Sequence, residues 1–434
     1  MAERLVRRRA SLVLLGHGDF LKLWSAQTIS QLGSQISLLA LPLAAIIVLG
    51  ASAFEVALLG TLEFLPFLLF ALPAGVWVDR LARRPILVLA DLGRAAALAS
   101  VPVAYLLDGL AMGQLYAVAF LVGTLTVFFD VAYQSYLPSL VARDQLVEGN
   151  AKLEVSRAGA QVAGLGLGGA IVGALTAPYA ILLDAASFLA SALLLARISA
   201  NEPHPAPASR RRLVPELWEG LRYLVGHPYW RAIAATTGTA NFFNTLGFSI
   251  VLVYAVRRLH LSPELIGLVL ALGSLGGLGG ALVVGRLARR LGVGMTIVGS
   301  AFLFGPPLLL VPLAPTSFPL PFLVVGIVLS SFGTVSYNVT GLSLMQTLTP
   351  ERLLGRLNAS RRFLVWGTIP LGSLAGGALA SEIGLRPTLL AGAIGASFSF
   401  LPVALSSLRS LRSMPAPADP EGGVLAPAGL ASDG

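Results

Sequence analysis

Four acidic residues interrupt otherwise apolar stretches of the sequence, and they are the side chains best placed to do chemistry. These are Glu63, Asp91, Asp130 and Asp184. A charge at the centre of a bilayer costs at least about 2.5 kcal/mol, so each such residue has a functional role by default. Glu63 and Asp130 have no basic residue within one helical turn, and a carboxyl group in that setting can bind and release a proton. An ion pair across helices is the structural alternative for both.

The other two acids have different neighbours. Asp91 lies one turn before Arg94, so we expect a charge network between them, or with the arginines of the preceding loop. Asp184 lies near one end of its apolar run, and the helix that this run forms is expected to sit at the periphery of the bundle.

Uncharged polar residues recur at helical spacing in four of the apolar stretches. Gln27, Gln31 and Gln35 lie four residues apart. The other three stretches contain Tyr133 and Gln134; Asn241 and Asn244; and Tyr337 and Asn338. Phenylalanines lie between them, so together they suit a bulky amphiphilic ligand better than an inorganic ion or a compact sugar acid. Hydrogen bonding between helices is the alternative for the glutamines.

Metal and thiol chemistry have little support in the sequence. The chain has no cysteine, which excludes disulfides, zinc clusters and iron-sulfur centres. Its four histidines lie outside the apolar runs and far apart in sequence. We therefore expect no metal site and no cofactor, and a membrane enzyme such as a lipid-modifying transferase is disfavoured.

The elements that hold these residues are membrane-spanning helices. Of the 434 residues, 56% are hydrophobic and 12% are charged, against about 25% charged in soluble proteins. Apolar runs long enough to span a bilayer predict an all-α membrane protein with twelve transmembrane helices. They lie near 23–48, 55–78, 86–107, 114–137, 152–175, 179–197, 232–256, 264–284, 294–314, 320–345, 359–381 and 388–408.

The basic residues indicate the orientation of these helices. All but four of the 30 Lys and Arg residues fall on one side, which includes both termini. The exceptions are Arg94 within a helix and Arg257, Arg258 and Arg386 on the other side. The positive-inside rule places the basic side, with both termini, in the cytoplasm. Because topology explains the net charge of +9, nucleic acid is not an expected partner.

A long polar interval divides the chain into two sets of six helices. Within it, apolar residues from Leu217 to Val225 recur at helical spacing, which predicts a helix that lies on the inner leaflet or packs on the inner helix ends. The predicted organisation is a basic tail at 1–22, a six-helix half at 23–197, a linker at 198–231, a second half at 232–408 and a disordered tail at 409–434.

The two halves carry an internal repeat. The sequence Arg-Leu-Ala-Arg-Arg occurs at 80–84 and again at 286–290, each time between the second and third helix of its half. A second echo follows the fourth helix of each half, where Leu146 and Asn150 correspond to Leu353 and Asn358. These matches predict two pseudo-symmetric six-helix units.

The first copy of the repeat resembles motif A of the major facilitator superfamily. It has the pattern G-x-x-x-D-R-x-x-R-R, whose defining residues are Gly75, Asp79, Arg80, Arg83 and Arg84. The resemblance implies that this loop holds the halves together in the outward-open state and releases as they rock. Gly75 is expected to allow close helix packing. In the second copy Gly285 stands where Asp79 would, which predicts a weaker latch.

Further segments resemble the drug and siderophore exporters of that superfamily, which include the macrolide-efflux and enterobactin-exporter proteins. They lie at 24–30, 90–95, 137–151 and 183–188. Helix five resembles the G-P-x-x-G-G antiporter motif, with Leu165 in place of the proline. The small residues here and at Gly273, Gly277, Gly372 and Gly376 are expected to permit close helix packing.

The resemblance implies a function. We expect a bacterial inner-membrane antiporter that works as a monomer and exports amphiphilic small molecules, driven by the proton gradient. Its first, fourth, seventh and tenth spanning helices would line the cavity, which makes Asp130 the first candidate proton carrier and Glu63 the second. An uptake carrier or facilitator on the same fold is the main alternative, and a non-transporting partner or sensor is another.

Overall fold

The computed structural model describes Leu14 and residues 17–78, 80–142, 145–200 and 213–414. Within these ranges the chain is helical, without strands. The long helices are α1 (Gly18–Leu43), α2 (Ala53–Val78), α3 (Arg83–Leu106), α4 (Met112–Leu140), α5 (Leu146–Leu175), α6 (Ala177–Ala196), α7 (Leu213–Gly226), α8 (Pro228–Arg257), α9 (Pro263–Leu291), α10 (Val293–Phe302), α11 (Leu320–Leu348), α12 (Glu351–Ile383) and α13 (Leu385–Phe398).

The predicted set of spanning helices is confirmed. In the described ranges, 11 helical segments are long and apolar enough to cross a membrane, and the long helix α12 completes the expected set of twelve. Three segments change helix type along their length. A π-helical stretch (Ala44–Val48) extends α1, a 3-10 turn (Pro306–Leu309) leads from α10 to Leu313, and Leu401–Leu405 continues α13. Pro306 and Pro307 lack the backbone N–H groups that would continue α10 unbroken.

The two sets of six helices pack in the same way. In the first half α1 packs against α5 and α6, α2 against α4, and α3 against α4 and α6. In the second half α8 packs against α12 and α13, and α9 against α11. This recurrence of pairings is the structural counterpart of the sequence repeat.

The repeated arginine motif adopts two different local structures. In the first copy α2 ends at Val78, and Arg80 and Leu81 form a turn before α3 begins. In the second copy α9 remains helical through Arg289 and Arg290 and ends at Gly292, whose φ of +87° favours glycine. Only the first copy therefore breaks the helix within the motif, with Arg80 on the turn and Arg83 and Arg84 in the first turn of α3.

The linker contains the predicted short helix, α7, which packs against α12 and α8. Leu224 of α7 is buried, whereas Trp218 on the same helix is 68% exposed. Both expectations for the helix are thus partly met, because one face packs on helix ends and another stays open. Of the predicted disordered tail at 409–434, the part up to residue 414 is described and begins within a 3-10 turn (Ser407–Ser410). The rest of that tail and residues 1–13, 15–16 and 201–212 lie outside the described residues.

Candidate functional site

The two halves meet at the face that carries the few arginines. We call this end of the bundle the opposite face. It includes the connections at 49–52, 107–111, 258–262, 314–319 and residue 384. We call the other end, which carries most of the arginines, the basic face. Arg257 at the end of α8 donates hydrogen bonds to the carbonyls of Gly50 (2.9 Å) and Ala51 (2.6 Å) at the end of α1. The Ser373 hydroxyl donates to the carbonyl of Ala57 at 2.7 Å. These three hydrogen bonds between the halves all lie towards this face.

Glycine contacts bring the helices of the two halves together at the same face. A Cβ on Gly169 of α5 would lie 2.7 Å from the Cα of Gly267 of α9, which is too close for any side chain. A Cβ on Gly377 of α12 would lie 2.7 Å from the Ala57 side chain of α2. The two contacts are related by the repeat, since α5–α9 and α2–α12 are equivalent pairs. The opposite face is therefore closed by backbone contact.

Removal of the Arg257 guanidinium is expected to loosen this closure. In Arg257→Gln the two carbonyls of α1 lose an exposed charged donor, which changes the closed-to-open balance by about 1 kcal/mol, or several-fold. The chain has no cysteine, so one introduced at buried Ala57 reports opening through its reaction rate with a water-soluble maleimide. The neighbouring variant Arg258→Gln is the control, and equal labelling rates in the two variants would contradict the assignment of Arg257 to the closure.

The described part of the motif A loop at the basic face is largely exposed in this conformation. Trp77 and Leu81 are 58% and 55% exposed, and Arg80 is also exposed. An added Cβ at Gly75 would have no atom within 4 Å, so the close packing expected there is not made here. Asp79 lies outside the described residues.

Two basic side chains instead bind the end of α6. Arg84 donates to the carbonyls of Leu195 (3.2 Å) and Ala196, and Lys22 donates to the carbonyl of Arg197 at 2.7 Å. Carbonyls at a helix C-terminus favour positive charge. Arg84 therefore ties the motif A loop to its own half, while Arg83 makes contacts of its own.

A cavity of about 370 Å³ lies inside the second half, among α8, α9, α11 and α13. Its polar lining includes Asn241 and Asn244, two residues predicted for substrate contact. The rest is mainly apolar, with Phe243 and Phe248 among it, and the described lining carries no charged side chain. This combination accepts a mainly apolar molecule with a few neutral hydrogen-bonding groups.

The other predicted cavity residues are spread over several environments. Gln27 is buried and Gln31 half-buried, and the side chain of Gln35 lies over Gly164 of α5, as expected of a helix contact. Gln134 on α4 and Asn338 on α11 are exposed, towards the basic-face ends of their helices.

Tyr337 lies in a different setting from its neighbour Asn338. Its hydroxyl bonds the Thr237 hydroxyl (3.0 Å) and the carbonyl of Ile233 (3.1 Å), which ties α11 to α8. Substrate contact by Tyr337 stays a prediction.

The two candidate proton carriers lie on α2 and α4. Glu63 is half-buried midway along α2, and it forms no hydrogen bond or ion pair with any residue that the structure describes. Asp130 is half-buried on α4 near Tyr133, which also lies near Glu154 of α5. Neither residue lines the cavity of the second half.

The structure brings Asp91 and Arg94 together as a buried ion pair. Asp184 lies on a helix that was expected at the periphery, but α6 turns this residue inward, towards α1, where it is 1% exposed. A Cβ at Gly33 of α1 would collide with the Asp184 carboxylate, which shows how closely the helices approach. Gly33 was the only sequence signal for this contact, and one glycine does not specify its partner.

The expected close packing at small residues is confirmed at the four glycines of the second half. Gly273 faces Ile327 and Gly277 faces Val335, both on α11. Gly372 and Gly376 of α12 face the carbonyls of Phe242 and Leu246 on α8. Among the described residues no group of three or more His, Asp or Glu could hold a metal ion.

Comparison with known proteins gives a consistent result. A family model described as transmembrane secretion effector matches residues 10–421. The multidrug efflux pump Tap of Mycolicibacterium fortuitum is 29% identical over 356 residues, which cover 78% of this chain and 84% of that protein. The enterobactin exporter EntS of Citrobacter koseri is 28% identical over 279 residues, or 62% of each chain. The crystal structure of a bacterial homologue of the iron transporter ferroportin in the inward-facing state shares the fold, with a TM-score of 0.70 at 18% identity over 89% of this chain and 98% of that one.

Proposed function

Because the chain belongs to the transmembrane secretion effector family of the major facilitator superfamily, we propose that it exports amphiphilic small molecules in exchange for protons by alternating access. The observation that carries the proposal is the asymmetry of the two faces. Gly169, Gly267 and Arg257 close one face, while Trp77 and Leu81 of the motif A loop stay exposed at the other. A transporter that alternates between two such arrangements needs one face closed at a time.

The proposed substrate class follows from the cavity. Its apolar walls and the amides of Asn241 and Asn244 favour a molecule with a large apolar part and neutral polar groups. Relatives named as a multidrug efflux pump and an enterobactin exporter support small organic substrates and export. Catalysis is not part of the proposed function.

The proposed orientation places the basic face in the cytoplasm of a bacterial cell. The arginine-rich connections then follow the positive-inside rule, and both termini are cytoplasmic. With the opposite face closed, the conformation described is inward-facing in this orientation. We propose that the protein acts as a monomer in the inner membrane, because each chain contains both halves.

The proposed driving force is the proton gradient. Asp130 is the first candidate carrier, because the fourth spanning helix lines the central pathway in this fold, and Glu63 is the second. The carboxyl group would be deprotonated when substrate binds on the cytoplasmic side, and protonation from the outside would reset the transporter. Each cycle thus moves substrate out of the cell and a proton into it.

Neutralisation of the motif A acid is expected to slow the change between states. In Asp79→Asn the proposed latch loses its charge, so turnover falls several-fold while equilibrium substrate binding is retained. The reciprocal variant Gly285→Asp adds a carboxylate near Arg289 in the second copy and is expected to alter turnover as well. Unchanged transport rates in both variants would show that the loop serves only as a membrane anchor.

Proton flux in everted vesicles tests the proposal as a whole. Vesicles that contain the full chain are challenged with macrolides, tetracyclines, cationic dyes and catechol siderophores. We expect at least one class to cause proton release from the acidic lumen, and no such release in vesicles without the protein. If no compound of the panel causes proton release, with the protein present and folded, the result would count against proton-coupled export of these classes.

Uptake or facilitated transport is the second candidate function. It is favoured by Leu165, which replaces the proline of the antiporter-like motif and whose carbonyl lies at the contact with Gly267. The direction of net flux separates the two candidates, since a facilitator equilibrates substrate without accumulating it.

A further inference from the structure

A buried charge cluster fills the interior of the first half, away from the cavity of the second. Asp91 and Arg94 of α3 form its ion pair, and Asp184 of α6 lies beside them. The Arg94 guanidinium lies between the rings of Phe129 and Phe188, 4.3 Å and 4.1 Å from their centroids. Asp91, Arg94 and Asp184 are 0%, 4% and 1% exposed, so the cluster is closed to solvent in this conformation.

The cluster contains two carboxyl groups and one cation. Asp91 forms the direct ion pair with Arg94, which leaves Asp184 with a hydrogen bond from the Ser187 hydroxyl at 3.0 Å. That hydroxyl also lies 2.8 Å from the carbonyl of Asp184, so its single hydrogen is shared. A buried carboxylate supported only by hydroxyl groups is strongly disfavoured. One added proton makes the whole cluster neutral.

A hydrogen-bond acceptor for that proton lies beside Asp184. The Ser37 hydroxyl of α1 is buried beside Asp184 and has no hydrogen-bond partner at bonding geometry. A protonated Asp184 carries an O–H that needs an acceptor, and the Ser37 oxygen offers one. On the other side of the cluster the Ser191 hydroxyl faces Asp91 and is also without a partner.

Among the residues that the structure describes, Asp91 and Arg94 are the charged groups beside Asp184. The elements packed against α6 are α1, α3 and α5. Among the described residues, α1 presents Gly33 and Ser37 to the carboxyl group and α3 presents Asp91 and Arg94, whereas α5 presents no charge.

Helix α1 connects the cluster to the closed opposite face. Gly33 lies directly against the Asp184 carboxyl group, and α1 with its π-helical extension leads into the connection that contains Gly50 and Ala51, whose carbonyls accept from Arg257. If Asp184 ionises, the buried charge favours separation of α1 from α6, because water must then reach it. Movement of α1 would also move the carbonyls that hold the opposite face closed.

We propose that Asp184, supported by the Asp91–Arg94 pair, is a proton-binding site inside the first half whose occupancy stabilises the conformation closed at the opposite face. Asp184 holds the proton as a neutral carboxylic acid that donates to Ser37. Deprotonation leaves a carboxylate and transfers the proton to water that enters as α1 moves. The site adds to the proposed proton coupling, but its geometry is independent of Asp130 and of any substrate.

Infrared difference spectroscopy of the reconstituted full chain tests the site without a transport substrate. Between acidic and alkaline pH, the carbonyl stretch of a protonated carboxyl group is expected in the wild type and in Asp130→Asn. The Asp184 component of that band should be missing in Asp184→Asn. An identical difference spectrum in Asp184→Asn and the wild type would overturn the proposal, whether or not the protein transports anything.

A milder variant keeps the proposal testable if Asp184→Asn does not fold. Ser37→Ala removes the acceptor, so the Asp184 carbonyl band should shift to higher frequency. The control is Ser30→Ala, a buried serine of the same helix whose hydroxyl bonds the carbonyl of Gln27 at 3.3 Å. An unshifted band in Ser37→Ala would overturn the assigned hydrogen bond.

The link between protonation of Asp184 and closure of the opposite face is tested by a separate measurement. Cysteine pairs for spin labels, one on each half at the opposite face, can be added to a chain that has none. Asp184→Asn, which is neutral at every pH, should keep the short distance at alkaline pH, where the wild type opens. The same pH dependence in both would overturn the link between protonation and closure.

Discussion

Replacement of Asp130 by asparagine is expected to reduce proton-driven transport to the background of empty vesicles. Asparagine keeps the size and hydrogen bonding of the side chain but cannot carry a proton, so the cycle loses its coupling step. Proton release on addition of a substrate to everted vesicles measures the loss. Glu63→Gln is expected to have a smaller effect if Asp130 is the carrier.

Two controls separate lost coupling from lost structure in the Asp130 variant. Asp108→Asn changes an exposed acid in the connection after α3, where its φ of 51° suits asparagine, and should transport normally. Exchange of labelled for unlabelled substrate needs no proton and should survive in Asp130→Asn. Proton-coupled export retained by this variant would remove Asp130 from the mechanism.

A bulky residue at Gly169 is expected to prevent closure of the opposite face. The Cα of Gly267 occupies the place that a Cβ would need, and the Pro263 carbonyl lies equally close, so backbone must move. Overpacking of this kind costs about 1–3 kcal/mol, and about 1.4 kcal/mol corresponds to a tenfold change in the balance of states. In Gly169→Leu we expect transport to fall by about fivefold to a hundredfold, because the inward-facing state is disfavoured.

Gly159 provides the matched control on the same helix. A Cβ there would have no atom within 4 Å, and the residue is exposed, so Gly159→Leu should leave transport intact. Labelling of a cysteine at Ala57 should increase in Gly169→Leu and stay low in Gly159→Leu. Normal transport by Gly169→Leu would show that the contact with Gly267 is not needed in the cycle.

The helices were predictable from sequence because each spanning run must bury its backbone polar groups within itself. Apolar length and the positions of arginine therefore located them, with helix ends that differ by up to eight residues, as at Glu351. The helical continuation of the second motif copy to Gly292 was not predictable, since the repeat suggests equivalent loops. That difference depends on where each helix ends, and arginine-rich sequence does not determine it.

The candidate site was predictable only in part. Asn241 and Asn244 line a cavity inside the second half, because amides in an apolar helix rarely face lipid, and their contact with substrate stays a prediction. The orientation of Asp184 was missed, since the direction of a side chain depends on which neighbour its helix packs against. The closure by Arg257 was also missed, because backbone carbonyls at the end of α1 have no signature in sequence.

The most direct test of proton-coupled export is substrate accumulation by the purified protein in proteoliposomes. A gradient with an acidic lumen is imposed, and ethidium is used as the probe because a permanent cation is not trapped by protonation. We expect accumulation against its concentration gradient that a protonophore abolishes and that Asp130→Asn lacks. Equilibration without accumulation, at a rate independent of the pH gradient, would contradict proton-coupled export and assign the chain to facilitated transport.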